Sequence, residues 1–135
     1  MPAASEPRWV GRLVVDAIHF DLLREHGGMP GLRDEHALES ALARPRQRFA
    51  QDPLLGLPRL AAAYGFGLVR SHPFGDGNKR TAFVVMGVFL GLNGYEIEAT
   101  EADVVTVMLN LAAGEVSKEE LAAWIGTRLR PSGPT

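Results

Sequence analysis

Apolar residues recur at three- and four-residue spacing along most of this chain, and glycines, prolines and capping residues mark where each run stops. Ala17, Ile18, Leu22 and Leu23 predict a first helix from about Val14 to Glu25, closed by Gly27 and Gly28. Asp34 is a good N-cap for a second helix carrying Ala37, Leu38, Ala41 and Leu42, which Pro45 is expected to stop. After a connection marked by Pro53 and Pro58, a third helix should run from about Arg59 to Arg70. A glycine-rich loop, Ser71 to Gly77, follows it. From Asn78 the chain is apolar on nearly every side of a helix (Ala82, Phe83, Val84, Val85, Met86, Val88, Phe89, Leu90, Leu92), which predicts a central position. Asn93 and Gly94 end that helix, and Tyr95 to Glu98 reads as a short extended link. Thr100 caps a fifth helix to about Ala113. Ser117 and Glu120 form a capping box for a last helix ending near Leu129. Strand signals are almost absent, so the expected fold class is all-α, a compact bundle of about six helices.

A chain of 135 residues is the size of one ordinary domain, expected here as a single unit over 1–135 with its core at about 10–129. Residues 1–8 and 131–135, rich in Pro, Ser and Gly, read as frayed ends. No repeat or low-complexity run interrupts the pattern. Cysteine is absent, which excludes disulfides and thiolate metal sites and fits a reducing cytoplasm. The first residues lack a signal-peptide layout, and no apolar stretch reaches the length of a membrane span. The expectation is a soluble cytoplasmic domain without a membrane partner. Net charge is −2, without the basic footprint of a nucleic-acid binder. Arg44, Arg46 and Arg48 read as the solvated end of the second helix.

Chemistry concentrates between His72 and Arg80, reading His-Pro-Phe-Gly-Asp-Gly-Asn-Lys-Arg. Gly75 and Gly77 let the backbone bend closely round a ligand with its amides inward. A helix beginning at Asn78 puts unpaired N–H groups and the positive dipole end at the same spot. Lys79 adds a compact charge there, and Arg80 a planar fork for phosphate oxygens. Asp76 inside such a nest points to a cation, and magnesium shared with phosphate oxygens is the usual solution. His72 is the group able to take a proton from an incoming hydroxyl near neutral pH. Phe74 is the expected apolar peg. A Walker loop needs glycine directly before its lysine, where Asn78 stands, and the dinucleotide fingerprint needs a preceding strand and a third glycine. His19, His26 and His36 fall on different predicted elements without metal-site spacing and read as local hydrogen-bonding or surface residues. Trp9, Trp124, Tyr64 and Phe66 read as core.

These nine residues resemble the signature of the Fic/Doc family, His-x-Phe-x-(Asp/Glu)-(Gly/Ala)-Asn-(Gly/Lys)-Arg. Gly27-Gly28-Met29-Pro30-Gly31-Leu32-Arg33-Asp34, then Leu38 to Leu42 and Pro45, resemble the family's N-terminal half. Thr81-Ala82, Asn93-Gly94 and Gly114 to Ser117 resemble later parts, so the likeness covers roughly residues 10–129. Lys79 stands where Fic adenylyltransferases carry glycine, which makes the chain most similar to the Doc (death-on-curing) branch. Pro73 and Gly75 are the more Fic-like positions.

The resemblance implies a Fic fold and a bacterial toxin of a toxin–antitoxin pair. It implies a kinase that moves the γ-phosphate of ATP to a threonine of elongation factor Tu and so arrests translation. By matching position, His72 is the general base and Asp76 the magnesium ligand, while Gly77 and Asn78 line the anion hole and Gly75 belongs with the phosphate-binding residues. Lys79 and Arg80 hold phosphates, and Arg70 touches the nucleotide. Lysine at position 79 should fill the space that glycine leaves and reverse the nucleotide, presenting its γ-phosphorus. No inhibitory (Ser/Thr)-x-x-x-Glu-(Gly/Asn) sequence occurs, so restraint is expected from a Phd-like antitoxin, through which alone nucleic acid would be contacted. The alternatives are a Fic-type protein adenylyltransferase and a non-catalytic nucleotide-binding regulatory module.

Overall fold

The computed structural model describes residues 5–133 and arranges them as six helices and one two-stranded antiparallel sheet. In chain order these are α1 (Arg12–His26), α2 (Glu35–Gln51), α3 (Leu57–Ser71), α4 (Asn78–Leu92), β1 (Tyr95–Ile97), α5 (Glu101–Ala112), α6 (Lys118–Gly126) and β2 (Leu129–Pro131). The all-α expectation holds. The capping chemistry also falls where the sequence puts it. Asp34 accepts from Ala37 N at 3.0 Å, Thr100 from Asp103 N at 3.1 Å, and Ser117 with Glu120 closes a full capping box. Pro58, expected in a connection, instead occupies the first turn of α3, where its missing N–H costs nothing.

The core forms around α3, which packs against α2, α4 and α6. Residues Leu60 to Gly65, with Leu68 and Val69, are buried along it. Tyr64 has no exposed surface, lies 5.2 Å from Phe89 between ring centroids, and accepts a hydrogen bond from Val10 N at 3.0 Å. Burial pushes its phenol up from the ordinary tyrosine range. The apolar α4 lies beside α3 and buries Ala82, Val85, Met86, Phe89 and Leu90, while its Phe83–Val84 and Val88 side is half-buried. Gly65 lets the two helices approach, because a Cβ there would overlap Met86 Sδ and come within 3.1 Å of Met86 Cγ. Trp9, Phe66 and Trp124 pack on the core while remaining partly open to solvent.

Five expectations are corrected. α2 does not stop at Pro45 but continues to Gln51 with Pro45 buried inside it. A mid-helix proline costs roughly 3 kcal/mol. Tertiary contacts beyond it offset that cost, since Phe49 meets Trp9 edge-on at 5.8 Å and Arg46 lies over the same ring. Arg44 and Arg46 therefore sit within the helix and not at its end. The last helix stops at Gly126, and Leu129–Pro131 turns back to pair with Tyr95–Ile97 in the register Tyr95↔Pro131, Glu96↔Arg130, Ile97↔Leu129. Arg130 reaches Glu96 and Glu98 at 2.6 Å each, which holds its guanidinium above the ordinary arginine range. Nor are the described parts of the ends frayed. Arg8 is tied through its backbone N and O to the Asn93 side chain, and Ser132 N donates to Gly94 O at 2.9 Å. The frayed-end reading of residues 1–4, 134 and 135 lies outside the described residues. Ala17, finally, faces solvent, and α1 buries Val15 and His19 instead.

Arg12 links α1 to α2 through Glu35 at 2.8 Å and through Glu39, and also holds Asp16 on its own helix. Hydrogen bonding to Arg12 keeps the Glu35 carboxyl below its ordinary range. A carboxyl lowered in the folded state contributes stability above its unfolded pKa and loses it as pH falls through the folded value. Urea midpoints of wild type and Arg12→Met should therefore differ at neutral pH and converge in acid. Gly65→Ala should cost about 1–3 kcal/mol by overpacking α3 against α4. Gly87→Ala, where a Cβ meets nothing within 4 Å, should be neutral or stabilise by up to ~1 kcal/mol. Chemical denaturation of both variants checks the contrast.

Candidate active site

The loop from His72 to Gly77 joins α3 to α4 and is held from three directions. Phe74, 2% exposed, stacks on the His19 ring of α1 with centroids 3.7 Å apart and planes at 11°. His19 Nε2 lies 2.8 Å from Asp76 O. A carbonyl only accepts, so Nε2 carries the hydrogen and donates it. From α4, the buried Asn78 side chain accepts from Phe74 N at 3.0 Å and donates to Phe74 O at 3.1 Å, which sets its amide orientation. The third hold is the segment before α2. Gly75 N donates to Gly31 O, and Arg33 N and Asp34 N both donate to Pro73 O. Arg33 also turns its guanidinium onto the end of α3, with Nε donating to His72 O at 2.6 Å and Nη2 to Ser71 O at 2.7 Å.

His72 is exposed and sits in the left-handed region at φ 48°, ψ 57°, alone in this among the described non-glycine residues. Histidine tolerates that region better than most residues, yet the conformation persists only because Arg33 and Pro73 hold the chain on either side. Asn78 Nδ2 approaches His72 Nδ1 at 3.5 Å. The fixed amide presents a donor, so Nδ1 of a neutral ring is the acceptor. So long a contact is readily exchanged for the proton of a hydroxyl group.

Gly77 caps α4 at φ 77°, ψ 17° without a side-chain cap, and the first helical hydrogen bond runs from Thr81 N to Gly77 O. The amides of Asn78, Lys79 and Arg80 are thus without an acceptor among the described residues, at the positive end of the helix. An anion is the natural complement. Gly77 is required by its positive φ. Gly75 is not, since a Cβ there would make only ordinary contact with Met29 at 3.5 Å.

Asp76 accepts from Gly77 N at 3.2 Å on one oxygen and from Met29 N at 3.3 Å on the other, leaving lone pairs on both. Among the described residues no three His, Cys, Asp or Glu side chains cluster as a metal site. A lone hard carboxylate fits magnesium completed by phosphate oxygens and water, and does not fit an all-protein cage. Asp76, Gly77 and Arg80 share a cleft of about 200 Å³ with His26, Gly28 and Leu23 of the α1 end. Lys79 is exposed on the first turn of α4. Arg70 is not brought to this cleft. It lines a separate one of about 240 Å³ between α2, α3 and α6.

Sequence reasoning missed three residues. Arg33 carried no periodic or motif signal of its clamp. His26 lines the Asp76–Arg80 cleft, which only the fold reveals. Gly28, read as a helix stop, has φ 122°, and a Cβ there would fall 3.0 Å from Asp76 Oδ2.

The fold and this loop–helix junction define a small helical protein that sets the open amides of a helix N-terminus beside a histidine. The family model described as "Fic/DOC family" matches residues 11–90, and the chain belongs to that family. It is 30% identical over 106 residues to "Protein kinase doc" of Escherichia phage P1, covering 78% of this chain and 83% of that protein. It is also 39% identical over 74 residues to "Toxin Doc" of Mycolicibacterium smegmatis, covering 54% of this chain and 57% of that one. Among the described residues no helix is long and apolar enough to cross a membrane.

Gly28→Ala should displace the Asp76 carboxylate and strain the backbone; were Asp76 to hold magnesium for a nucleotide, the magnesium concentration needed for nucleotide binding should rise. Titration calorimetry with ATP at varied magnesium, beside thermal melting, separates that effect from unfolding.

Proposed function

We propose that this protein is a Doc-type toxin, a kinase that transfers the γ-phosphate of ATP to a threonine hydroxyl of elongation factor Tu and is restrained by a Phd-like antitoxin. The observation that carries the reading is the set of free amides at the start of α4, flanked by Asp76, Lys79 and Arg80 and directly following His72. The relatives named as a kinase and as a toxin support the reaction class and the antitoxin partner. The acceptor rests on the family resemblance alone.

In this reading the amides of Asn78, Lys79 and Arg80 receive phosphate oxygens, and the two cationic side chains balance charge that grows on them. Asp76 would hold magnesium, which would supply positive charge to neutralise the phosphates. His72 takes the proton of the acceptor hydroxyl as its oxygen attacks the γ-phosphorus. One O–P bond forms to the acceptor, the bond to the bridging oxygen breaks, and ADP leaves. The Asn78 side chain positions the loop and the His72 ring, while its backbone amide does the binding. His19 and Arg33 hold the geometry without touching the reacting atoms.

Lys79 separates this reading from AMP transfer. Incubation of the protein with elongation factor Tu and ATP labelled at the γ- or the α-phosphorus is expected to transfer only the γ label. Transfer of the α label would replace the kinase with an adenylyltransferase. His72→Ala should lower transfer by about 10²–10⁴-fold while ATP still binds. A His72→Ala variant that kept full growth inhibition would favour the non-catalytic module. Lys79→Gly should reduce γ transfer by about 10²-fold, the scale for losing one preorganised group.

A further inference from the structure

A second cleft lies between α2, α3 and the start of α6, with a volume of about 240 Å³. Its rim carries Arg44, Arg70 and Lys118, and its floor is made by small residues such as Ala37, Ala41 and Gly67 around the half-buried Phe66 ring. No carboxylate lines it, although the chain as a whole is acidic at −2. None of the three cations has an ion-pair partner among the described residues. Arg70 Cζ and Lys118 Nζ stand 5.9 and 5.8 Å from the centroid of the same Phe66 ring. At the outer limit of cation–π range the ring attracts each only weakly, and the like charges are left to repel. A carboxylate placed between them would remove that repulsion and gain charge-assisted hydrogen bonds.

The lining of the cleft selects the ligand. Three cations without a carboxylate, set round a floor of small residues, suit one or two acidic side chains. The small-residue floor takes methylenes and the rim takes the charge. The cleft also borders the reacting centre, because Ser71, one of its lining residues, directly precedes His72. We infer that this cleft anchors acidic side chains of the polypeptide whose hydroxyl is presented to His72, an inference that rests on the protein-kinase reading. Arg44, Arg70 and Lys118 then select acceptors with a glutamate or aspartate near the modified residue, apart from the nucleotide held at Asp76 and Arg80.

The probe is a fluorescein-labelled peptide of four glutamates, with a four-glutamine peptide as control, followed by anisotropy on the full chain. Wild type should bind the acidic peptide and not the control. The Arg44→Glu/Lys118→Glu double variant should weaken binding by about tenfold, while Arg59→Glu, at an exposed cation outside the cleft, leaves it unchanged. Saturating ATP–magnesium or inorganic phosphate should not displace the peptide. Arg44→Gln/Lys118→Gln serves if the reversal unfolds the chain. Equal peptide affinity in wild type and variant, or displacement by ATP or phosphate, overturns the proposal. An unchanged KM for elongation factor Tu in the double variant also overturns it. Peptide binding without any phosphate transfer would refute the kinase reading and support the cleft.

Discussion

The stack of Phe74 on His19, joined by the hydrogen bond from His19 to the Asp76 carbonyl, is the contact on which the site depends. It pins the middle of a six-residue loop to α1, so the turn cannot swing when the ends of α3 and α4 breathe. Asn78 closes the same loop from inside by spending its side chain on the Phe74 backbone. Arg33 holds the outer edge by binding the last carbonyls of α3. Every group that would bind phosphate is then a backbone amide or a side chain rooted in a fixed helix turn. Preorganisation of that kind is what electrostatic catalysis needs, because dipoles already aimed require no reorganisation as charge develops.

Holding the loop requires the helices beneath it to hold still. α3 and α4 lie close enough that Gly65 admits the Met86 side chain, and their facing surfaces are buried. The junction between them is therefore a rigid corner, and its strain is confined to His72. A left-handed non-glycine residue at the end of a buried helix costs of order 1–3 kcal/mol. The hydrogen bonds of Arg33 and Asp34 to the carbonyls on either side supply the restraint that keeps it there.

Two clefts open on either hand of this corner and differ in their chemistry. One contains the lone carboxylate of Asp76 beside Arg80 and leads to the free amides of α4. The other has cations without a carboxylate and a floor of small residues. A transferase that moves a phosphoryl group from a small molecule to a polypeptide needs two such surfaces meeting at one base, and the division of charge fits the proposed reaction.

Helix count, most boundaries and all three side-chain caps were legible in the sequence, because helical periodicity and capping are local and need no partner. The open helix start at Gly77 to Arg80 was legible for the same reason, since a helix N-terminus exposes its amides whatever surrounds it. Pro45 was misread because the contact that carries α2 past it, Phe49 on Trp9, joins residues forty apart and leaves no mark on local pattern. The strand Leu129–Pro131 was missed because its partner lies more than thirty residues away. The loop itself shows the same division. Its composition announced a base, a carboxylate and an anion nest, but the roles of His19, Arg33 and Gly28, the inward turn of Asn78 and the separation of Arg70 from Asp76 were decided by tertiary packing. Sequence alone determined which groups the loop offers, since residue type sets charge and backbone freedom. Only the folded chain decided which of those groups meet, because distance between remote residues is a property of packing.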